Sequence, residues 1–497
     1  MAVWERINDP NMALQLHEVP LVEGFDVKGS SEMTLEAPPL TQQKKKKKFR
    51  CWLQGEEEIF LDTATCAMAF RILRCNGYDV SSDPLTQING GKHESSFSAG
   101  HLKHIVDALE LYRASEIIIY AHESALEEQH SWSSHFLKEK LQDCINHSDR
   151  FNKYVSQEVD DTLKFPLHAD FERATIRRNI EHYYVDSTTI LKTTYWWVAE
   201  TRLDKLKFAR QKTVYCYFSA ATTLSSPELS DARISWAKHG VLTTVIDDFF
   251  DIGGSLLELD NLIQLLKKWD VNLATDCCSE HVQIIFSALQ STICETGAKA
   301  FRFQGRNVTS HVIDIWLELL HSGWREAKWT SDQSLPTLEE YIDNGLVSFA
   351  LGPIVLPTLY LVGPILSDDV VFSTEYQSLF KTLSTSGRLL NDIHTFQRES
   401  KEGKLNAVTL HMIHSSGAVS AEESISDIKR SIVSQRRELL RLVLETKSSM
   451  VPRSCKNVFW NMSRVLNVFY MKDDGFSSDD MIHVVKAILH EPLSLSG

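Results

Sequence analysis

The sequence predicts an all-α protein, and three observations carry that expectation. Apolar residues recur at helical spacing through most of the chain. Alternating strand patterns are few, and no internal repeat stands out. The connections between helical stretches are short and marked by Gly and Pro, as in helix-on-helix folds. With 497 residues, 43% of them hydrophobic and 24% charged, the composition is that of an ordinary globular chain, long enough for more than one domain.

Taken in order, residues 1–48 read as a poorly ordered, solvated leader ending in the run Lys44–Lys48. The leader has no apolar core of a signal peptide. It is also too acidic, with Glu5, Asp9, Glu18, Glu23 and Asp26, to read as a transit peptide. The run Phe60–Leu73 carries apolar residues at helical spacing, and Gly77 is a stop signal. Further helices are predicted near 100–114, 123–145 and 150–164. Pro166 lies in a hinge at about 165–170, and long helical patterns follow to the C-terminus. The uncharged stretch Gly345–Leu366 is long enough to cross a bilayer. Pro353, Pro357 and Pro364 interrupt it and acidic residues flank it, so it reads as a buried, broken helix and not a membrane span.

Charge and cysteines narrow the function. A net charge of -14 argues against a nucleic-acid partner, because phosphate backbones need Lys/Arg surfaces. An acidic chain that binds a diphosphate needs cations to bridge like charges. The nine cysteines form no CxxC pair or Cys/His cluster, which argues against structural zinc and for reduced thiols in an intracellular compartment.

Two motifs carry chemistry. Leu242, Val245, Ile246, Phe249 and Phe250 predict a helix over Val241–Asp251, on which Asp247 and Asp251 share a face and Asp248 lies about 100° away. Three carboxylates on an apolar helix are costly unless neutralised, and hard oxygen donors suit Mg²⁺. An exposed, acidic helix end explains the same residues equally well. A second helix, marked by Leu389, Leu390, Ile393 and Phe396, puts Asn391, Thr395 and Glu399 on one stripe of oxygen donors; Asp392 falls off the stripe and is expected to pair with a cation. Arg388 precedes this stripe, and Arg210 and Lys212 are expected on a helical segment ahead of the first motif. Such cations can grip a diphosphate, Arg bidentately.

These residues, with "LKFARQK" from Leu206, "SPELSDARISWAKHGVLTTVIDDFFDIGGS" from Ser226, "FQGRNVTSH", "SFALGPIVLP", "GRLLNDIHTFQRESKEGKLNAV" and "FYMKDDGF", resemble plant terpene synthases, specifically ent-kaurene synthases and kaurene-synthase-like enzymes. The resemblance runs from about Cys51 to the C-terminus. It implies a class I terpene synthase α-helical bundle over 158–497, preceded by a remnant of a helical β domain over 49–157. It implies Mg²⁺, three ions per site: two on Asp247 and Asp251, one on Asn391, Thr395 and Glu399. Asp247, Asp248 and Asp251 would be the catalytic run, and Arg210, Lys212 and Arg388 would hold diphosphate. The implied reaction ionises ent-copalyl diphosphate and cyclises and rearranges it to ent-kaurene or a related diterpene. Coupling to a copalyl diphosphate synthase and residence in the plastid follow by the same resemblance; with no clear transit peptide, the alternative compartment is the cytoplasm. Ile354 would bear on how far the cascade runs. Tyr217, Phe218, Phe349, Phe469 and Tyr470 are candidate walls for a carbocation. Asp473-Asp474-Gly475-Phe476 resembles a C-terminal lid.

Glu158-Val159-Asp160-Asp161 comes close to the DxDD motif of class II cyclases, but its first residue is Glu, and it reads as a helix face. The chain departs from the resemblance in a short N-terminal region and in the direct run from Ile190–Val198 into "AETRLDKLKF", where related chains carry another helical stretch. A breached cavity in a catalytically impaired isoform with intact ligands is therefore the alternative expectation. A prenyl chain-elongating synthase fits less well, since its second motif would be another aspartate-rich run.

Overall fold

A computed structural model describes residues 62–88, 101–144, 196–471 and 474–475, with 156, 158–160, 162–164 and 166–167. The expected leader, most of the hinge at 165–170, the run Ile190–Tyr195, and Asp473 and Phe476 of the expected lid lie outside the described residues. Among the described residues there are helices and turns but no strand, as the helical periodicity predicts.

Among the described residues four helices come first: α1 Thr63–Cys75, α2 Asp83–Ile88, α3 His101–Ser115 and α4 Ser124–Cys144. The side chain of Asp62 caps α1, accepting from Thr65 N at 3.0 Å. Gly77 ends that region with φ +79, and a Cβ there would meet Thr446 Cγ2 at 2.5 Å, so glycine is required both for the turn and for close approach. Helix α3 packs on α1 and α4. At the centre of this layer the buried Arg74 guanidinium pairs with the Glu123 carboxylate and donates to Ile117 O at 2.8 Å. The DxDD-like run is a helix face, as expected: Val159 is buried, Glu158 pairs with Arg113 at 3.0 Å and Asp160 with Lys164 at 2.5 Å. Asp161 lies outside the described residues.

The larger layer comprises α5 Thr213–Thr223, α6 Ser230–Asp248, α7 Leu256–Lys268, α8 Glu280–Gln304, α9 Thr309–Asp332, α10 Leu338–Ser348, α11 Leu351–Leu359, α12 Thr374–Glu402, α13 Ala407–His414, α14 Ala421–Leu444 and α15 Arg453–Phe469. Reciprocal capping boxes start α7 (Ser255/Glu258), α10 (Thr337/Glu340) and α14 (Ser420/Glu423), each satisfying two N–H groups that the helix leaves unpaired. Two apolar cores result. One gathers Val245, Phe249, Leu262, Phe286 and Trp316 under α6; the other gathers Phe218, Leu359, Leu383, Phe459 and Phe469 around α12. Helix α11 packs on α6 and α9, so it stands beside the first motif helix.

The stretch predicted as a buried, broken helix is one. Helices α10 and α11 meet at a 50° bend, and Leu351, Val355 and Leu359 are buried. The break sits at Phe349–Ala350, where Ala350 adopts φ 65. It thus precedes Pro353, the first of the prolines expected to interrupt the stretch. Pro353 is tolerated because the first turn of a helix needs no amide donor, whereas Pro357 withdraws a donor from the interior of α11. No single helix among the described residues is long and apolar enough to cross a membrane; this bent pair passes on length and composition together.

Candidate active site

The first motif begins as a helix and ends as something wider. Helix α6 runs to Asp248, and Phe249–Gly253 then form a π-type turn closed by Gly254 N–H on Phe249 O at 2.8 Å. The expected helix over Val241–Asp251 is therefore right to Asp248 and widened beyond it, as is common at functional sites. A Cβ on Gly253 would meet the Phe208 ring at 2.4 Å, so glycine lets the turn close on that ring. Phe208 in turn packs against Phe249 and His281 at centroid distances of 5.8 and 5.3 Å.

Phe208, with the buried Leu203 and Leu206, anchors the segment that carries Arg210 and Lys212. That segment is an irregular loop ahead of α5 and not the helix expected from the sequence; the three apolar anchors hold it without a helical hydrogen-bond ladder. Arg210 donates its backbone N–H to Asp248 Oδ2 at 2.6 Å, its Nε to Asp248 Oδ1 at 2.9 Å and Nη2 to Asp247 Oδ2 at 2.9 Å. Asp248 is buried and ties down this loop. Lys212 sits 4.7 Å above the Tyr215 ring.

Asp247 behaves differently. Its side chain keeps 55% of its accessible surface with the protein chain close around it. That enclosure, followed by repulsion from Asp251, pushes its carboxyl up to about 7 against the pull of Arg210. Asp251 meets Lys404 Nζ at 2.8 Å.

The second motif lies on the 29-residue α12. Asn391 donates to Tyr470 OH at 3.1 Å, the Thr395 hydroxyl donates to Asn391 O at 3.0 Å, and Glu399 Oε2 accepts from Asn406 Nδ2 at 2.8 Å. Asp392 is fully buried. It pairs with Arg388 Nε at 3.1 Å and accepts from Tyr341 OH at 3.1 Å and Ala407 N–H at 3.2 Å, so the expected partner cation is Arg388. Burial and nearby Glu399 push Asp392 up to about 6 against the pull of Arg388. The Arg388 guanidinium also donates to Tyr341 OH and lies 4.9 Å over that ring; in this structure its contacts are within the protein.

The Lys404–Asp251 pair spans the two motifs, since Lys404 follows the C-cap Gly403 of α12. It brings the carboxylate end of α6 beside the end of the Asn391–Thr395–Glu399 stripe. Sequence reasoning missed Lys404, Asn406, Tyr341 and Glu326. Lys404 and Asn406 stood in the "KEGKLNAV" run just past the stripe, which is the signal that was available. Tyr341 and Glu326 are distant in sequence, and only the packing of α9 and α10 brings them in: Glu326 accepts from Ser348 Oγ at 2.6 Å and its charge reaches Asp247 and Arg388.

Ile354 is half-buried on α11, its carbonyl accepting from Thr358 Oγ1 at 2.8 Å. Phe218 and Phe469 meet edge-to-face at 6.1 Å, and Tyr217 and Tyr470 are buried. Of the expected lid, Asp474 lies 3.6 Å from Arg398, and Gly475 N–H donates to Phe469 O at 2.8 Å.

The donor set fits Mg²⁺. Its members are carboxylate, amide and hydroxyl oxygens, and a divalent ion would offset both the burial and the Asp251 repulsion that raise Asp247. Among the described residues no three His, Cys, Asp or Glu side chains converge to hold an ion by themselves. Mg²⁺ characteristically takes one or two carboxylates and completes its shell with water and phosphate oxygens.

Comparison with known proteins agrees with this geometry. Residues 199–438 match the model of the terpene synthase family metal binding domain, and residues 44–163 that of the terpene synthase N-terminal domain. The chain is 52% identical to a chloroplastic ent-kaurene synthase of Vitex agnus-castus, covering 90% of this chain and 61% of that one. It is 48% identical to a chloroplastic terpene synthase of Isodon rubescens, covering 90% and 70%. Isoprene synthase from grey poplar leaves, solved with three Mg²⁺ ions and dimethylallyl-S-thiolodiphosphate, shares the fold with a TM-score of 0.78 at 23% identity, covering 91% of this chain and 90% of that one. The chain spans 61% of the length of its Vitex relative. Two motif-bearing helices linked by the Lys404–Asp251 pair, two matched domains and a relative covered over 70% of its length at 48% identity together identify this chain as a member of the terpene synthase family.

Proposed function

We propose that this chain is a class I diterpene synthase that ionises ent-copalyl diphosphate, releases diphosphate, and cyclises and rearranges the cation to ent-kaurene or a related diterpene. The observation that carries this reading is the Lys404–Asp251 contact at 2.8 Å, which sets the acidic turn after α6 beside the oxygen-donor stripe of α12. Roughly half-identical relatives named as ent-kaurene synthases support the substrate class. Three Mg²⁺ ions and a diphosphate analogue in the isoprene synthase support the cofactor and its count.

In this reading Asp247 and Asp251 hold two Mg²⁺ ions, and Asn391, Thr395 and Glu399 the third. Bound Mg²⁺ would supply Lewis-acid stabilisation of the departing diphosphate. The chain's own cations complete the anion site. Arg210 is prepositioned by Asp248, which also holds its loop, Lys212 stands beside it, and Arg388 adds positive charge from beneath the α12 stripe. In this reading the half-buried Phe349 and Ile354 would wall the reactive chamber, excluding water and stabilising the cation, while Phe218 and Phe469 are buried in the core. The catalytic region begins near 158 and follows a helical domain over 49–157. Residence in the plastid, where the similar relatives' names place them, fits this substrate, as does supply by a copalyl diphosphate synthase.

The test is release of diphosphate from ent-copalyl diphosphate by the purified chain. Release that requires Mg²⁺ and is lost on Asp247→Ala supports the proposal. Lengthening of the isoprenoid, with release only on condensation, would turn it to a chain-elongating synthase.

A further inference from the structure

One buried side chain outside both motifs touches the donor stripe at several points. Asn406 is fully buried between α12 and α13. Its Oδ1 accepts from Val408 N–H at 2.9 Å, capping α13. That bond fixes the orientation of the carboxamide, so both hydrogens of Nδ2 face α12. They meet Asp392 O at 2.9 Å and Glu399 Oε2 at 2.8 Å, with Thr395 Oγ1 at 3.5 Å. Two of the three stripe residues thus lie within reach of one amide nitrogen.

We propose that Asn406 is a positioning residue for the third metal site, holding the Glu399 carboxylate and the α12 backbone in the arrangement that accepts a divalent ion. The inference rests on the reading of the stripe given above. Its physical basis is selective. A carboxylate free to turn samples several rotamers, and only some present an oxygen in line with Asn391 and Thr395. Asn406 donates to Oε2 alone, so Glu399 is oriented without both oxygens being consumed. The bond to Asp392 O ties that orientation to the same helical turn that carries Asn391. Outer partners of this kind set ligand geometry, and their loss typically lowers metal affinity by about 10- to 100-fold. No other side-chain type does all three jobs at this length. Serine and threonine cap a helix but cannot reach Glu399, aspartate offers no donor, and alanine offers nothing.

The serine substitution therefore separates capping from positioning. The experiment is calorimetric titration of Mg²⁺ into the full chain in saturating inorganic diphosphate, comparing wild type, Asn406→Ser and Asp247→Ala. The serine variant is expected to keep its helical circular dichroism and melt within a few degrees of wild type, while its weakest class of Mg²⁺ site loses about tenfold or more in affinity. Asn406→Thr makes the same comparison with a second capping side chain if the serine variant loses its folded baseline. Unchanged Mg²⁺ affinity in either folded variant, beside a wild type that binds, overturns the role of Asn406 and leaves the metal site standing. A wild-type chain that takes up no Mg²⁺ with diphosphate overturns the reading of the site, and the inference with it.

Discussion

Lowering the pH from 8 to 6 should weaken divalent-ion binding at the first motif, because protons compete for Asp247. Enclosure by protein and, after it, repulsion from Asp251 raise its carboxyl to about 7, and a protonated carboxyl is a poor ligand. Apparent affinity falls by the factor 1 + 10^(pKa − pH), which is about 11 at pH 6 and about 1.1 at pH 8, so roughly tenfold lies between them. Since 55% of the Asp247 side chain remains accessible, solvent screening trims this to somewhere between about three- and tenfold. The sign for the metal-free fold runs the other way. A carboxyl raised on folding contributes stability that is full below its ordinary value near 4 and is lost as pH rises through about 7. The assay is Mn²⁺ binding followed by electron paramagnetic resonance, without diphosphate, so that the anion's own titration stays out. Asp251→Asn removes the repelling charge and should flatten the dependence. Affinity that is level from pH 6 to 8, or a slope undiminished in Asp251→Asn, refutes the reasoning.

Two further substitutions test how the fold supports the site. Glu123→Ala leaves the Arg74 guanidinium buried and unpaired, with side-chain exposures of 1% for Arg74 and 2% for Glu123 in the native pair; the expected cost is about 3–5 kcal/mol in denaturant unfolding, and a loss below about 1 kcal/mol would count against it. Burial works against the Glu123 carboxylate, but its bonds from Arg74 and from Ile119 and Tyr120 N–H hold it below its ordinary value. The contribution should therefore be present above the ordinary carboxylate value and fade as pH falls through the lower folded one. Gly387→Ala places a Cβ 2.2 Å from Phe349 Cε1, at the bend between α10 and α11. Overpacking of this kind costs about 1–3 kcal/mol, and the displaced ring should alter the spectrum of hydrocarbon products; an unchanged melting temperature and product profile would show that the ring yields freely.

Much of this was legible in the residues. Helical periodicity marked α1, α3 and α4 to within a few residues and the second half of α12, and Gly77 marked a real stop, because burying a stripe every 3.6 residues leaves a plain trace. The donor residues were legible for the same reason: spacing of four on a helix reads as one face. Three features were not. The π-type turn after Asp248 depends on the Gly253–Phe208 contact, which joins segments some forty residues apart. The loop carrying Arg210 was expected to be helical, yet Phe208 packs on Phe249 and His281, so tertiary packing sets its path. The break before α11 falls at Ala350, a residue with no breaking signature; the prolines beside it drew attention three residues too late. Asn406 and Lys404 carry no periodic signal of their own; the return of the chain sets one under Glu399 and the other on Asp251.

The most direct test of the central claim is mass spectrometry of the hydrocarbons made by the purified chain from ent-copalyl diphosphate and Mg²⁺, beside the Asp247→Ala variant. The account predicts ent-kaurene or an isomeric diterpene from the wild type and none from the variant. Undiminished product from Asp247→Ala would contradict the metal assignment; no turnover by a folded wild type would contradict the proposed activity and favour the impaired isoform with intact ligands.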